Sequence, residues 1–134
     1  MILVDSNVII DVIGNDPAWA AWSVAQLRQQ SQVHALAINP VVYAELSLNF
    51  ETHVQLDKVV SDLQLVYLEL PRAALFLAGH AFGAYKQRGG AKLNVLPDFF
   101  VGAHATHAGC ALLTRDVRRY RTYFPRVPLI APEN

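Results

Sequence analysis

The sequence predicts one α/β domain over residues 1–134: a mostly parallel sheet of four to five strands flanked by helices in three layers. Three observations carry this. Short apolar runs recur along the chain and are continuous rather than alternating, which suits strands covered on both faces. Helix-length segments separate the runs, and parallel strands need such crossovers. Asp, Asn, Pro or Gly punctuates nearly every junction.

Ile2–Val4 is the first run, a buried strand closed by Asp5. Ser6 or Asn7 then caps a short helix to about Ile13. Gly14-Asn15-Asp16-Pro17 is a turn, and Asp16-Pro17 is a helix-start pair that opens a helix to about Gln30. Ala35–Ile38 is the second strand, ended by Asn39-Pro40. Helices follow over Val41–Leu48 and Val54–Leu63, then a strand at Leu65–Leu68. Pro71 opens a long helix to about Lys86, which Gln87-Arg88-Gly89-Gly90 stops. Pro97 opens the next, about Asp98–Ala108, ended by Gly109. Ala111–Leu113 is a strand, Thr114-Arg115-Asp116 turns into a short helix toward Tyr120, and Val127–Ile130 is a last, edge strand.

With 53% hydrophobic and 16% charged residues, 134 residues build a core without disulfides. Cys110 is the single cysteine, so no intrachain disulfide exists, and its apolar run suits a buried small hydrophobe. No basic n-region precedes Met1–Val4, and no apolar run reaches the ~20 residues of a membrane span. A cytoplasmic protein with no membrane association is expected. Formal net charge is zero, so no basic balance points outright to nucleic acid, which argues only weakly against it because Arg115, Arg118, Arg119, Arg121 and Arg126 crowd the end of the chain. That patch is either a phosphate-binding surface or an ordinary solvated face.

Four acids, Asp5, Glu45, Asp98 and Asp116, sit after strands or in helices from one end of the chain to the other. In a parallel sheet, loops at the carboxyl ends of the strands converge on one crevice. Carboxylates gathered there repel one another unless a cation compensates, and a hard divalent ion, Mg²⁺ or Mn²⁺, prefers oxygen ligands. That chemistry points to phosphodiester hydrolysis. Each acid alone has a plainer reading. Asp5, Asp98 and Asp116 suit helix caps or first turns, and Glu45 suits a helix surface. The helix after Asp98 is apolar nearly all round, so its carboxylate faces a crevice rather than open solvent. Thr114 is placed to orient a carboxylate or a water, and Arg115 and Arg118 to hold flanking phosphates.

The segments Val4-Asp5-Ser6-Asn7-Val8-Ile9-Ile10-Asp11, Glu45 in its helix, Leu96-Pro97-Asp98-Phe99 and Leu112-Leu113-Thr114-Arg115-Asp116 resemble the acidic motifs of PIN domains. The tail Arg115–Tyr123 with Phe124-Pro125 resembles the VapC-type toxins of type II toxin–antitoxin systems. The resemblance runs along essentially the whole chain. It implies a Mg²⁺- or Mn²⁺-dependent endoribonuclease, a homodimer, held inactive by a cognate antitoxin. It also implies that Asp5, Glu45, Asp98 and Asp116 are the metal-site carboxylates, supported by Ser6, Asn7 and Thr114.

Other features are weaker. His104 and His107 are three apart on a helix, yet zinc wants further ligands, and structural or surface roles are preferred. Asp11 either extends the acidic pocket or lies on the helix surface. Trp19 and Trp22 suit packing better than base stacking. With Val54 and Leu56 they mark a candidate exposed patch for a homodimer or an antitoxin helix. A receiver-like Mg²⁺-binding regulatory module needs a lysine after a late strand, and the only lysines are Lys58, Lys86 and Lys92. An aspartate-nucleophile phosphatase wants Asp-x-Asp, and Asn7 stands at its second position. A structure-specific DNA nuclease needs more chain for clamping DNA. A non-catalytic PIN-like scaffold is the alternative to an enzyme, although all four acids are present.

Overall fold

A computed structural model describes residues 1–133. Five strands, β1 (Ile2–Val4), β2 (Leu36–Ile38), β3 (Val66–Tyr67), β4 (Ala111–Leu113) and β5 (Leu129–Ile130), form one sheet in the order β3-β2-β1-β4-β5. Every neighbouring pair is parallel, so the sheet is wholly rather than mostly parallel. Among the described residues seven helices flank it in a three-layer α/β/α arrangement. They are α1 (Ser6–Ile13), α2 (Ala20–Ser31), α3 (Pro40–Ser47), α4 (His53–Asp62), α5 (Arg72–Gln87), α6 (Leu96–Ala108) and α7 (Arg118–Tyr123).

The strand order explains where a site forms. From β1 the chain steps outward to β2 and β3, then returns to the other side of β1 for β4 and β5. The direction of winding therefore reverses between β1 and β4, and the crevice outside their carboxyl ends lies at that switch. Val4 pairs with Leu113, so Asp5 and Thr114 emerge side by side. The Asp5 amide donates to the Leu113 carbonyl at 2.9 Å, carrying the pairing one residue past β1.

The continuous apolar runs of β1 and β2 are wholly buried, and Leu112 and Leu113 of β4 with them. β3 is different: it lies at the edge of the sheet and both its residues are exposed. α6 is buried nearly all round, as its composition predicts. Phe99 sits at the centre of an aromatic cluster, with the rings of Phe82, Tyr85, Tyr123 and Phe124 centred 5.2–6.0 Å away. Gly102 is needed there, since a Cβ at this position would lie 2.3 Å from the Phe124 ring. Gly109 ends α6 in the left-handed region, at φ 64°, where an L side chain is strained.

Several boundaries differ from expectation. α2 starts at Ala20, not at Asp16-Pro17. Asp16 Oδ1 accepts from the amides of Ala18 and Trp19 at 2.8 and 2.9 Å, which spends three residues on a turn. The cap of α1 is Asp5 itself rather than Ser6 or Asn7. α7 begins at Arg118, and β5 is shorter than the run Val127–Ile130. The patch expected around Trp19, Trp22, Val54 and Leu56 is also corrected. Val54 is exposed as expected, but Trp19 and Trp22 are half-buried and Leu56 is buried as the apolar anchor of α4; other strongly exposed apolar side chains include Leu48, Phe76 and Leu93.

Candidate acidic active site

Asp5 is the best-held acid. It sits at the end of the central strand and is 4% exposed. Oδ1 accepts from the Ser6 amide at 2.8 Å. Oδ2 accepts from the Thr114 hydroxyl at 2.9 Å and from the Tyr120 phenol at 2.7 Å. Even so, burial pushes the Asp5 carboxyl above its ordinary value, and the charge of Asp116 adds to the rise. The phenol of Tyr120, buried against Asp5, is held well above its own ordinary value.

Glu45 comes from α3. Asn39 caps this helix, accepting from the Val42 amide at 2.9 Å, and Pro40 begins it. The Ser6 hydroxyl donates to Glu45 Oε1 at 3.0 Å, tying α3 to the start of α1. Burial and then the charge of Asp5 raise the Glu45 carboxyl.

Asp98 lies in the first turn of α6 and is pushed up to about 7, first by burial and then by Asp5; Glu45 and Asp116 contribute as well. Arg119 opposes this, with Nη1 3.4 Å from Asp98 Oδ2, while its Nε is buried with no acceptor. Asp116 is half-exposed beside the loop after β4, its amide donating to Thr114 Oγ1 at 3.2 Å. Asp116 thus acts on Asp5, Asp5 acts on Glu45, and Asp5, Glu45 and Asp116 all act on Asp98 at one end of the sheet, where Arg119 is the cation placed on Asp98.

Residues 2–125 match the family model described as PIN domain. The chain belongs to the PIN-domain family. Solved structures share the fold of this PIN domain along nearly its whole length. VapBC2 from Rickettsia felis, bound to a promoter DNA fragment, is 20% identical with a TM-score of 0.76, covering 99% of this chain and 100% of the other. VapBC-1 from nontypeable Haemophilus influenzae is 18% identical with a TM-score of 0.72, covering 98% of both chains. FitAcB from Neisseria gonorrhoeae is 19% identical with a TM-score of 0.69, covering 97% and 96%. A comparison with curated proteins gives no match.

In this PIN domain polar side chains link α1 to the loop after β4. Asn7 Nδ2 donates to Thr114 Oγ1 at 3.2 Å, and Asn7 Oδ1 accepts from the Arg115 amide at 3.3 Å. The Arg115 side chain is engaged by a buried carboxylate. Its Nε and Nη2 donate to the two oxygens of Asp11 at 2.7 and 2.8 Å, and its guanidinium lies 5.4 Å from the centre of the Trp19 ring. Asp11 is thus neither in the acidic pocket nor on the surface, but buried in an ion pair that also receives the Ser23 hydroxyl at 2.8 Å. Arg118 is largely exposed, 3.6 Å from Asp116.

His104 and His107 do not act together. His104 is buried in α6 with Nδ1 3.2 Å from Asn39 Nδ2, while His107 is exposed. Since Asn39 Oδ1 is engaged by the Val42 amide, its Nδ2 must donate, so His104 Nδ1 accepts and the ring is neutral. Burial, which lowers the His104 pKa, agrees. This bond ties α3 to α6, the helices carrying Glu45 and Asp98. Between these helices runs an apolar groove of about 410 Å³, lined by Val41, Ala44, Leu48, Leu96, Pro97 and Phe100, with Glu45 at its edge.

Tyr120 and Arg119, which contact Asp5 and Asp98, lie outside the acidic motifs of the sequence. Tyr120 has a signal: in Arg118-Arg119-Tyr120-Arg121 a lone aromatic among arginines turns inward, and a buried phenol seeks an acceptor. Arg119 has none that separates it from its neighbouring arginines.

Among the described residues no group of three or more His, Cys, Asp and Glu side chains is drawn together tightly enough to hold a metal ion as it stands. The chemistry of the acidic site nevertheless fits a hard cation. Its donors are carboxylate oxygens, three of them on groups raised by burial and by neighbouring acids, with two loosely placed guanidiniums as counter-charge, Arg119 at Asp98 and Arg118 at Asp116. Among the described residues no helix is long and apolar enough to cross a membrane.

Proposed function

We propose that this PIN domain is a Mg²⁺- or Mn²⁺-dependent endoribonuclease acting in the cytoplasm as the VapC-type toxin of a toxin–antitoxin pair. Asp5, Glu45, Asp98 and Asp116 are its metal-holding and catalytic carboxylates. The observation that carries this reading is the gathering of one buried acid, Asp5, two half-buried ones, Glu45 and Asp98, and the half-exposed Asp116 at the sheet's switch point, with too little positive charge among them. Asp98, raised to about 7 beside Asp5, is the sharpest instance.

A bound divalent ion would supply a more acidic attacking water and take up charge at the scissile phosphate. The chain's own part is to hold the acids. Thr114, Tyr120 and the Ser6 amide fix Asp5, and the Ser6 hydroxyl fixes Glu45. Asn7 fixes Thr114 and the backbone of Arg115. No serine or cysteine nucleophile is required, and Ser6 is committed to Glu45. The purified protein should cleave single-stranded RNA with Mg²⁺ or Mn²⁺, stop in excess EDTA, and resume when metal is restored. Undiminished cleavage in EDTA would reject the metal reading.

Arg118 is the side chain best placed to meet a flanking phosphate, being exposed beside Asp116. Arg118→Ala is expected to weaken RNA binding a few-fold at low salt and to reduce the slope of log affinity against log salt by about 1. Titrations at several salt concentrations would show an unchanged slope if this arginine does not touch phosphate.

The partner reading rests on the groove between α3 and α6. An antitoxin segment with apolar side chains can fill it and reach Glu45 and the other acids with a basic side chain. Solved neighbours include VapBC complexes and a complex described as toxin–antitoxin from Klebsiella pneumoniae. Co-expression with the adjacent gene product should give co-purification and silenced cleavage, and light scattering of the free protein should give a homodimer. A free, active monomer in both preparations would remove the partner claims.

A further inference from the structure

We propose that Tyr120 is a positioning residue for Asp5, one that selects Oδ1 as the oxygen offered to a cation. This inference rests on Asp5 being a metal-holding carboxylate. Asp5 Oδ2 receives two hydroxyl donors, Tyr120 at 2.7 Å and Thr114 at 2.9 Å. A carboxylate oxygen has about two lone-pair sites, so Oδ2 is saturated. Oδ1 receives only the Ser6 amide at 2.8 Å and keeps one lone pair free. The asymmetry turns a symmetric ligand into a directional one.

The two hydroxyls are not equivalent. The Thr114 oxygen is shared with Asn7 and the Asp116 amide, and it sits in the loop that directly follows β4. Tyr120 reaches Asp5 from α7, across 115 positions of sequence, and its ring is buried among core side chains at 1% exposure. Its phenol therefore cannot swing away without disturbing the core, and it holds the carboxylate plane against rotation. Groups that orient a metal ligand in this way are worth roughly ten- to a hundredfold in metal affinity or activity.

The test is Tyr120→Phe, which keeps the ring and removes only the hydroxyl. Mn²⁺ binding is followed by electron paramagnetic resonance on the full chain, alongside RNA cleavage and thermal unfolding, with Tyr123→Phe as the control that leaves Asp5 untouched. Tyr120→Phe should bind Mn²⁺ at least about tenfold more weakly, lose kcat more than it raises KM, and stay folded. Tyr123→Phe should match the unmodified chain in Mn²⁺ affinity. Tyr120→Phe within about threefold of the unmodified chain, or binding more tightly, overturns the proposal. If Tyr120→Phe does not fold, Thr114→Val leaves Tyr120 as the one hydroxyl on Oδ2; Mn²⁺ affinity within about threefold of the unmodified chain then supports Tyr120 as the group that holds the carboxylate, and a loss of about tenfold or more overturns it. Asp5→Asn separates the two levels of inference. If that variant still binds Mn²⁺ like the unmodified chain, the metal-site reading fails, whatever Tyr120 does.

Discussion

Asp5→Asn and Asp98→Asn are each expected to lower RNA cleavage about a thousandfold, equivalent to ~4 kcal/mol of lost transition-state stabilisation. Both changes are isosteric and remove one negative charge from a site built on negative charge. Folding should survive Asp5→Asn, because the carboxamide keeps the shape of the carboxylate beside Thr114 and Tyr120, whose hydroxyls can turn to match it. The two variants differ in their metal-free stability. The Asp98 carboxyl titrates in the fold at about 7, above its ordinary 3.8, so the folded state favours its protonated form. Its stabilising contribution is complete below about pH 4 and is lost as pH rises through 7. Asp98→Asn should therefore flatten the decline in melting temperature between about pH 4 and pH 8, less whatever Arg119 loses in its partner. Added Mn²⁺ should raise the melting temperature of the unmodified chain and leave both variants nearly unchanged. Full cleavage by either variant would sink the assignment of these acids, and so would a Mn²⁺-induced stabilisation equal to that of the unmodified chain.

The second large effect is structural. Arg115→Ala is expected to cost about 3–5 kcal/mol, because it strands a buried carboxylate. Asp11 has a side-chain exposure of 1% and receives both its strongest donors from Arg115, leaving only the Ser23 hydroxyl after the change. The reverse substitution, Asp11→Ala, should cost less, about 1–3 kcal/mol, because the partly exposed Arg115 can turn to water. For a domain of this length Arg115→Ala corresponds to a fall of roughly 10–20 °C in melting temperature. The order of the two losses is the informative result, and differential scanning calorimetry reads it directly. An Arg115→Ala chain that melts like the unmodified one, but loses RNA affinity in a salt-dependent way, would return Arg115 to the phosphate-binding role its sequence position suggests.

These two predictions divide along the line between local and long-range information. The types and order of the elements follow from local chemistry. Continuous apolar runs make β1, β2 and β4; Asn39-Pro40 starts α3; Gly109 ends α6; and the near-uniform apolarity of α6 requires its burial. Asp5 and Thr114 are legible as site candidates for the same reason, since each directly follows a strand of a parallel sheet. Local pattern is weaker at α2, where the Asp16 side chain forms a turn before the helix, and at β3, whose apolar residues lie on an exposed edge.

Pairings between distant residues are decided by the tertiary structure alone. Arg115 holds Asp11 across 104 positions, Tyr120 holds Asp5 across 115, and Arg119 lies against Asp98 across 21. Caps, turns and periodicity act over a few residues, so they set what each segment becomes. Which arginine finds a buried carboxylate depends on strand order and on the angle at which α7 returns over the end of β1. Neither is encoded in any one segment, and both emerge only when the apolar faces are packed together.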